Sequence, residues 1–485
     1  MSVIGRWPGR ALWLGLLAVA ALAACAPVQT VQTVQTAGPG QLVYPPLDFR
    51  IPEVKESRLA NGVRLYLRED NELPLVQVTA MVGSGMMAAP RDLPGFDDLF
   101  ATTLRTGGTG SMAAAALEER LDLLAANLSC AMGPYATQID LSLRRDDLRE
   151  GLGILGDLLR QPAFAGDKLD LARNQALEAL RRRNDDPGAI ADRLLMAALY
   201  PDHPLGDAPT EASLAAVSRD QLVDFHRRHF VPGNLWLAVS GDVRQDELLA
   251  LLDELLGGWP AAAVPVDTLP PLLPPAAGLV QAVAKDVPQT TVLLGDLGLT
   301  KDSPDQYAAR VLNFIFGGGG FNSRLMREVR SDRGLAYSVW SQFQVGRRFP
   351  GPVMAGTETK NASVVEALTL IRSIMDDLRS TTVAPEELQV ARDSLVNSFI
   401  FGFTDPHAVV VQRMQLAFYD YPPDYLDRYR ERIAAVTAAD VQRVADAYLR
   451  PERQQIVLVG APDETVAPLE ALGLPVRRLS GDDLH

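Results

Sequence analysis

The chain has 485 residues, 47% of them hydrophobic, and a formal net charge of −14. That length and apolar content suffice for two or three domains with real cores. The acidic balance, with no basic stripe to neutralise phosphates, argues against a nucleic-acid partner. The chain opens on Arg6 and Arg10, then a short apolar run from Ala11 to Ala21, then Leu22-Ala23-Ala24-Cys25. An apolar run this short is the core of an export signal rather than a membrane-spanning helix.

Small residues ending on a cysteine are similar to a bacterial lipobox, so residues 1–25 read as a lipoprotein signal peptide with Cys25 as the lipidated residue. Ala26 in the next position points, by the same resemblance, to the outer membrane. The expected location is the bacterial cell envelope, lipid-anchored and facing the periplasm. Val-Gln-Thr then repeats from Val28 to Thr36, and residues 26–44 read as a flexible tether. With Cys25 acylated, Cys130 has no intrachain partner and is expected as a small buried apolar residue.

From Gly62 to Arg68 and from Leu75 to Val82 the residues alternate as strands. Ala113 to Leu128 has helical periodicity with Ser111 as a cap, and Gln138–Leu143 is a strand. Helices are predicted over Asp146–Arg160 and Leu169–Asn184, then a further helical pair, then the strand Leu235–Ser240. Residues 261–276 are proline-dense and form a stiff linker. Beyond it the text repeats at an ungapped offset of 219 residues: Asp186-Pro187 falls on Asp405-Pro406, Pro232 on Pro451, and Leu235–Gly241 on Gln454–Gly460. The period is too long for a solenoid and marks a domain duplication. The expected fold class is α+β: two homologous domains, 45–260 and 277–480, each a mixed, mostly antiparallel sheet with helices packed on one face.

The most informative segment is Gly317-Gly-Gly-Gly-Phe-Asn-Ser-Arg-Leu-Met-Arg-Glu-Val-Arg330-Ser-Asp-Arg-Gly-Leu-Ala-Tyr337. A glycine-rich entry leads into a short helix with Leu325, Met326 and Val329 on one side, and Gly334 supplies a left-handed stop. The run Ala336–Phe343 then alternates as a strand. This helix–Gly–strand text closely resembles the C-terminal signature of the pitrilysin/insulinase family of zinc peptidases, and the resemblance covers roughly residues 45 to 480. It implies the family's two-domain clamshell, and it implies that Arg330 and Tyr337 grip substrate backbone near the scissile bond. A guanidinium offers fixed donors to a peptide carbonyl, and a phenol can donate to the oxyanion formed during amide attack.

The family's zinc motif is His-x-x-Glu-His on a helix with a distal Glu as third ligand. Of the five histidines here (His203, His226, His229, His407 and His485), none occupies that region. Aligned on Gly95, the two histidines become Asp98 and Thr102, the catalytic Glu becomes Ala101, and the distal ligand becomes Ala179. Glu178 is one residue out of phase, and one residue on a helix turns a side chain by about 100°. No catalytic zinc is expected in this chain, and the spacing of His226 and His229 reads as an ordinary helix face rather than a metal pair. Neither a Gly-x-Ser-x-Gly elbow nor a phosphate loop is present.

A lost metal half beside a kept Arg/Tyr half resembles family members in which two homologous chains share one active site, as in the mitochondrial processing peptidase. The resemblance therefore implies a non-catalytic, substrate-binding subunit that is inactive alone. Its partner would be a homologous zinc-bearing subunit, and extended or unfolded peptides would bind as an added strand inside the clamshell. No cofactor is expected in this chain; zinc belongs to the partner. The alternative is a structural or peptide-binding lipoprotein without protease activity.

Overall fold

In the computed structural model residues 49–266, 268–276, 278–460 and 462–484 are described, so the signal segment 1–25 with Cys25, and the tether 26–44, lie outside the described residues. Strands β1 (Lys55–Arg58), β2 (Arg64–Glu69) and β3 (Leu75–Val82) come first, and helices α1 (Phe96–Thr106) and α2 (Ala114–Leu123) lead into strands β4 (Asn127–Met132) and β5 (Thr137–Arg144). Helices α3 (Leu148–Arg160), α4 (Gly166–Arg182), α5 (Pro187–Leu199), α6 (Glu211–Ala216) and α7 (Arg219–His229) precede β6 (Leu235–Gly241), and α8 (Gln245–Leu256) closes the first half. The second half runs β7 (Val280–Ala284), β8 (Gln289–Leu297), α9 (Gln306–Asn313), β9 (Ala336–Phe343), β10 (Pro352–Lys360), α10 (Val364–Ser380), α11 (Pro385–Ser398), α12 (Pro406–Phe418), α13 (Tyr425–Ala434), α14 (Ala438–Tyr448), β11 (Gln455–Gly460), α15 (Pro462–Ala471) and β12 (Val476–Leu479).

Each half is a six-stranded mixed sheet, in the orders β1-β2-β6-β3-β5-β4 and β12-β7-β11-β8-β10-β9. The parallel pair β2/β6 of the first corresponds to β7/β11 of the second, and the antiparallel neighbours follow in the same order. The outermost strand beside that pair differs in origin. In the first sheet it is the N-terminal β1, antiparallel to β2; in the second it is the C-terminal β12, parallel to β7. The α+β duplication read from the sequence is thus the observed architecture.

Helices of each half pack on the outer face of its own sheet, as expected, and one helix of the opposite half packs on the inner face, so the central strand of the second sheet is apolar on both sides. Along β11, Ile456 and Leu458 join the outer core while Val457 and Val459 face the other way. Their cover comes from the opposite half: Ile190, Ala191, Leu195 and Leu199 of α5 pack on the second sheet. Reciprocally, Val410 and Met414 of α12 pack on Tyr66, Met81 and Ala238 of the first. Both exchanged helices start on the repeated Asp-Pro, with Pro at the first helical position, where no N–H is needed. Asp186 accepts from the Ala189 N–H at 2.7 Å, and Asp405 from the His407 N–H at 2.8 Å, so each carboxylate caps the end that inserts.

Three local expectations need correction. The periodic stretch 113–128 is not one helix: α2 ends at Leu123, Ala125 turns the chain with φ 48°, and β4 begins at Asn127. Leu128 and Met132 are buried at strand spacing against β5, and this cross-strand burial overrides the helical pattern. Ser111 does not cap α2; its hydroxyl donates to Asp157 instead. Between α4 and β6 there are three helices rather than a pair.

Candidate functional site

The segment 317–337 folds around a buried arginine. Arg324 donates from Nε to Glu387 at 2.9 Å, from Nη2 to the other Glu387 oxygen at 2.7 Å, and from Nη1 to Asp377 at 2.5 Å. That fork ties the glycine-rich entry to α10 and α11, while Leu325, Met326 and Val329 face the core. The helix is wound with π-type hydrogen bonding over Met326–Asp332, a little later and wider than the short α-helix expected. Gly334, at φ 62°, ends it: its N–H donates to the Arg330 carbonyl at 3.0 Å and the Leu335 N–H to the Val329 carbonyl at 2.9 Å. This is the paired-bond stop that glycine favours, and it turns the chain directly into β9.

The turn brings the two sequence-predicted residues together. The Arg330 guanidinium carbon lies 4.6 Å from the Tyr337 ring centroid and 4.8 Å from that of Phe321. Tyr337 is 81% exposed and Phe321 70%. Neither the Arg330 guanidinium nor the Tyr337 hydroxyl has a hydrogen-bond partner among the described residues, so their donors are free for a ligand. Tyr337 stands on β9, the outer strand of the second sheet, which pairs only with β10 among the described residues. Sequence reasoning missed Phe321, although its place in the same glycine-rich loop was visible. It also missed Arg324, whose role depends on carboxylates far along the chain.

The positions that the resemblance assigns to metal ligands lie in the first half. Asp98 is exposed in the first turn of α1, Ala101 is buried one turn on, and Thr102 is half-buried. Ala179 is exposed on α4, and Glu178 beside it is held by Arg182 at 2.9 Å and Arg181 at 3.4 Å. Among the described residues no group of three or more His, Cys, Asp or Glu is placed to hold a metal ion. A small cavity of about 100 Å³ beside α1 is lined by Asp97, Asp98 and the Arg91–Asp207 ion pair. Burial, and then Asp98, push the Asp97 carboxyl upward. The alanine at 101 removes the group that would activate water, and two imidazoles are missing, so a zinc ion does not fit the residues present.

The histidines serve packing instead. His226 is buried beside Phe164 and Phe230, donates from Nε2 to the Leu159 carbonyl at 3.2 Å, and is pushed down to about 4 by burial. His229 stacks on Phe225 with Nδ1 2.9 Å from Ser84 Oγ. His407, at the tip of α12, places Nε2 3.0 Å from Thr79 Oγ1 and Nδ1 3.0 Å from Ser240 Oγ. Because the Thr79 hydroxyl donates to Asp140, its oxygen accepts from Nε2–H, which leaves Nδ1 to accept from Ser240. Cys130 packs against the first core, and burial, then Asp140, push its thiol up to about 12.

Comparison with known proteins bears on this chain as a whole. The model of the insulinase family (peptidase family M16) matches residues 64–211, and that of the peptidase M16 inactive domain matches residues 216–395. A zinc protease of Mycobacterium leprae, described as uncharacterized, is 27% identical over 359 residues, which are 72% of this chain and 79% of the relative. The non-peptidase homolog YmxG of Helicobacter pylori is 26% identical over 341 residues, 69% of this chain and 77% of that one. The crystal structure of a peptidase M16 inactive domain from Pseudomonas fluorescens superposes with a TM-score of 0.75 at 25% identity, covering 84% of this chain and 98% of that one.

Proposed function

We propose that this chain, which belongs to the insulinase family of peptidases (peptidase family M16) as a non-catalytic member, is the substrate-binding subunit of a heterodimeric zinc endopeptidase. The zinc would sit in a homologous partner that carries His-x-x-Glu-His. The observation that carries this reading is the unpartnered guanidinium of Arg330 stacked on the exposed Tyr337, in a chain with Asp98, Ala101, Thr102 and Ala179 at the motif positions. Beyond their mutual stacking, the arginine and tyrosine make no hydrogen bond to the described residues of the fold, which leaves their donors to a ligand. They are suited to bind a peptide carbonyl and to donate to the oxyanion formed when the partner's zinc-bound water attacks. An extended peptide would add to the free edge of β9, which supplies backbone donors and acceptors at strand spacing. The lipobox at Cys25 would hold the complex at the cell envelope, facing the periplasm and anchored in the outer membrane.

The test is to purify the chain alone and together with a His-x-x-Glu-His homologue from the same cell. Zinc content and cleavage of an unfolded peptide are then measured for each. Zinc and cleavage are expected only in the pair; stoichiometric zinc with activity in the chain alone would refute the assignment. A second reading, a structural or peptide-binding lipoprotein with no protease partner, draws on the H. pylori relative described as a non-peptidase homolog. It predicts that no such homologue co-purifies and that none cleaves faster when this chain is added.

A further inference from the structure

The duplication lets one half be compared with the other at the place where each exchanged helix inserts. In the first sheet the tip of α12 delivers His407 onto Thr79, Asp140 and Ser240. The offset of 219 residues sets Gly188 of α5 on His407 and Val459 on Ser240. Strand register sets Leu293 on Thr79 and Gly356 on Asp140, since Thr79 pairs with Ala238 and Asp140, and Leu293 with Val457 and Gly356. A ring and its polar socket have thus become two glycines and two aliphatic residues. What remains on the second sheet is a groove of about 600 Å³, with Gly188, Leu293 and Gly356 among its lining residues.

The rest of the lining decides what fits. Trp340 from β9 lies across the Gly356 backbone, where an added Cβ would stand 2.7 Å from the indole, so the wall is aromatic and flat. Asp192 of α5 and Glu358 of β10 add two carboxylates, and neither has a hydrogen-bond or ion-pair partner among the described residues. Among the described residues no arginine or lysine lines the groove. Leu293 and the indole face give the groove an apolar stretch, Gln289, Thr291 and Ser338 line it beside them, and the two carboxylates are uncompensated. Together they match a cation carried on an apolar stem, which can lie along Leu293 and Trp340 with its head toward the acids. Tyr337 lines the same groove, so the subsite opens beside the Arg330–Tyr337 pair.

We propose that this groove is a binding subsite for an organic cation on an apolar stem, either the lysine or arginine side chain of a bound peptide or a free alkylamine. It deepens the subunit reading by naming a substrate feature, and it rests on that reading only for the claim that peptide reaches the groove. The test uses the full chain without a partner. Isothermal titration calorimetry compares Ac-Ser-Val-Lys-Val-Ser-NH2 with the same peptide carrying norleucine, at low and at high salt. The lysine peptide is expected to bind at least about tenfold tighter, with the margin shrinking as salt screens the carboxylates. The double variant Asp192→Asn/Glu358→Gln should erase the preference. Gly188→His, which restores the ring that the first half uses, should abolish binding of both peptides without changing the far-UV spectrum or Tm.

Displacement of the lysine peptide by n-butylamine would support the site and assign it to the free cation. Failure of butylamine to displace it, beside a lysine preference, would support the site and confine it to peptide side chains. Equal binding of the two peptides, a preference that survives the double variant, or no binding to the chain would each overturn the proposal. Cleavage by the pair and its dependence on Arg330 are measured separately, so a failed groove and a failed subunit assignment remain distinguishable.

Discussion

At Arg324 the guanidinium is buried between Glu387 and Asp377, whereas Arg330 in the next turn rests on two exposed rings with its donors unused. Burial separates their tasks. Arg324→Ala would leave Glu387 without its partner in a mostly enclosed site, and such losses cost about 3 kcal/mol or more; a lower urea midpoint is the expected readout. Arg330→Ala and Tyr337→Phe should leave the fold and the zinc-bearing pair intact, and Tyr337→Phe should lower kcat of the pair by roughly a hundredfold if its hydroxyl serves the oxyanion. Unchanged steady-state rates would remove that role. His226 makes a pH prediction. Burial sets its folded pKa at about 4, below the ordinary imidazole value of 6.5. The folded state therefore binds fewer protons than the unfolded one, and the contribution to stability is whole above pH 6.5 and is lost as pH falls toward 4. By pH 5 the loss is roughly 2 kcal/mol at about 1.4 kcal/mol per unit. Denaturant titrations at pH 7.5 and 5 should show it, and His226→Gln, which keeps a donor for Leu159, should flatten the difference.

Among the elements, the two exchanged helices do most to define the interior. Each opens on Asp-Pro, and each buries its apolar side on a sheet formed by the other half. Met414 is fully buried where α12 crosses the first sheet, so Met414→Ala should cost about 2–5 kcal/mol. Because that face joins the halves, the loss should appear as a shift of the whole unfolding transition rather than as a separate early step, which calorimetry can read. The same elements were partly legible beforehand: the Asp-Pro repeat, the strand Ala336–Phe343 and the Gly334 stop all follow from local chemistry. The split of 113–128 into α2 and β4 was not, because its alternation at Leu128 and Met132 is meaningful only beside β5.

At the scale of the whole molecule, residues from Phe49 onward form one compact unit. The halves are joined by the exchanged helices, by the Tyr200 hydroxyl donating to the Pro350 carbonyl at 2.8 Å, and by Lys285 donating to the Asn184 carbonyl at 2.7 Å. A half expressed alone would expose the apolar inner face of its sheet, so residues 49–260 and 277–484 are expected to aggregate separately, and the intact chain to melt in a single calorimetric transition. Two resolved melting steps, or soluble folded halves, would contradict that mutual dependence. By itself the sequence determined the duplication, the α+β class, the absence of a His-x-x-Glu-His motif and the closeness of Arg330 to Tyr337, because each rests on residues near one another in the chain or on a countable residue type. Only the tertiary structure decided which half covers which sheet, which of the two neighbouring arginines is free, and that Gly188 leaves a groove where His407 fills one. Those outcomes depend on burial, and burial is set by partners from 53 residues away, for Arg324 and Asp377, to 328, for His407 and Thr79.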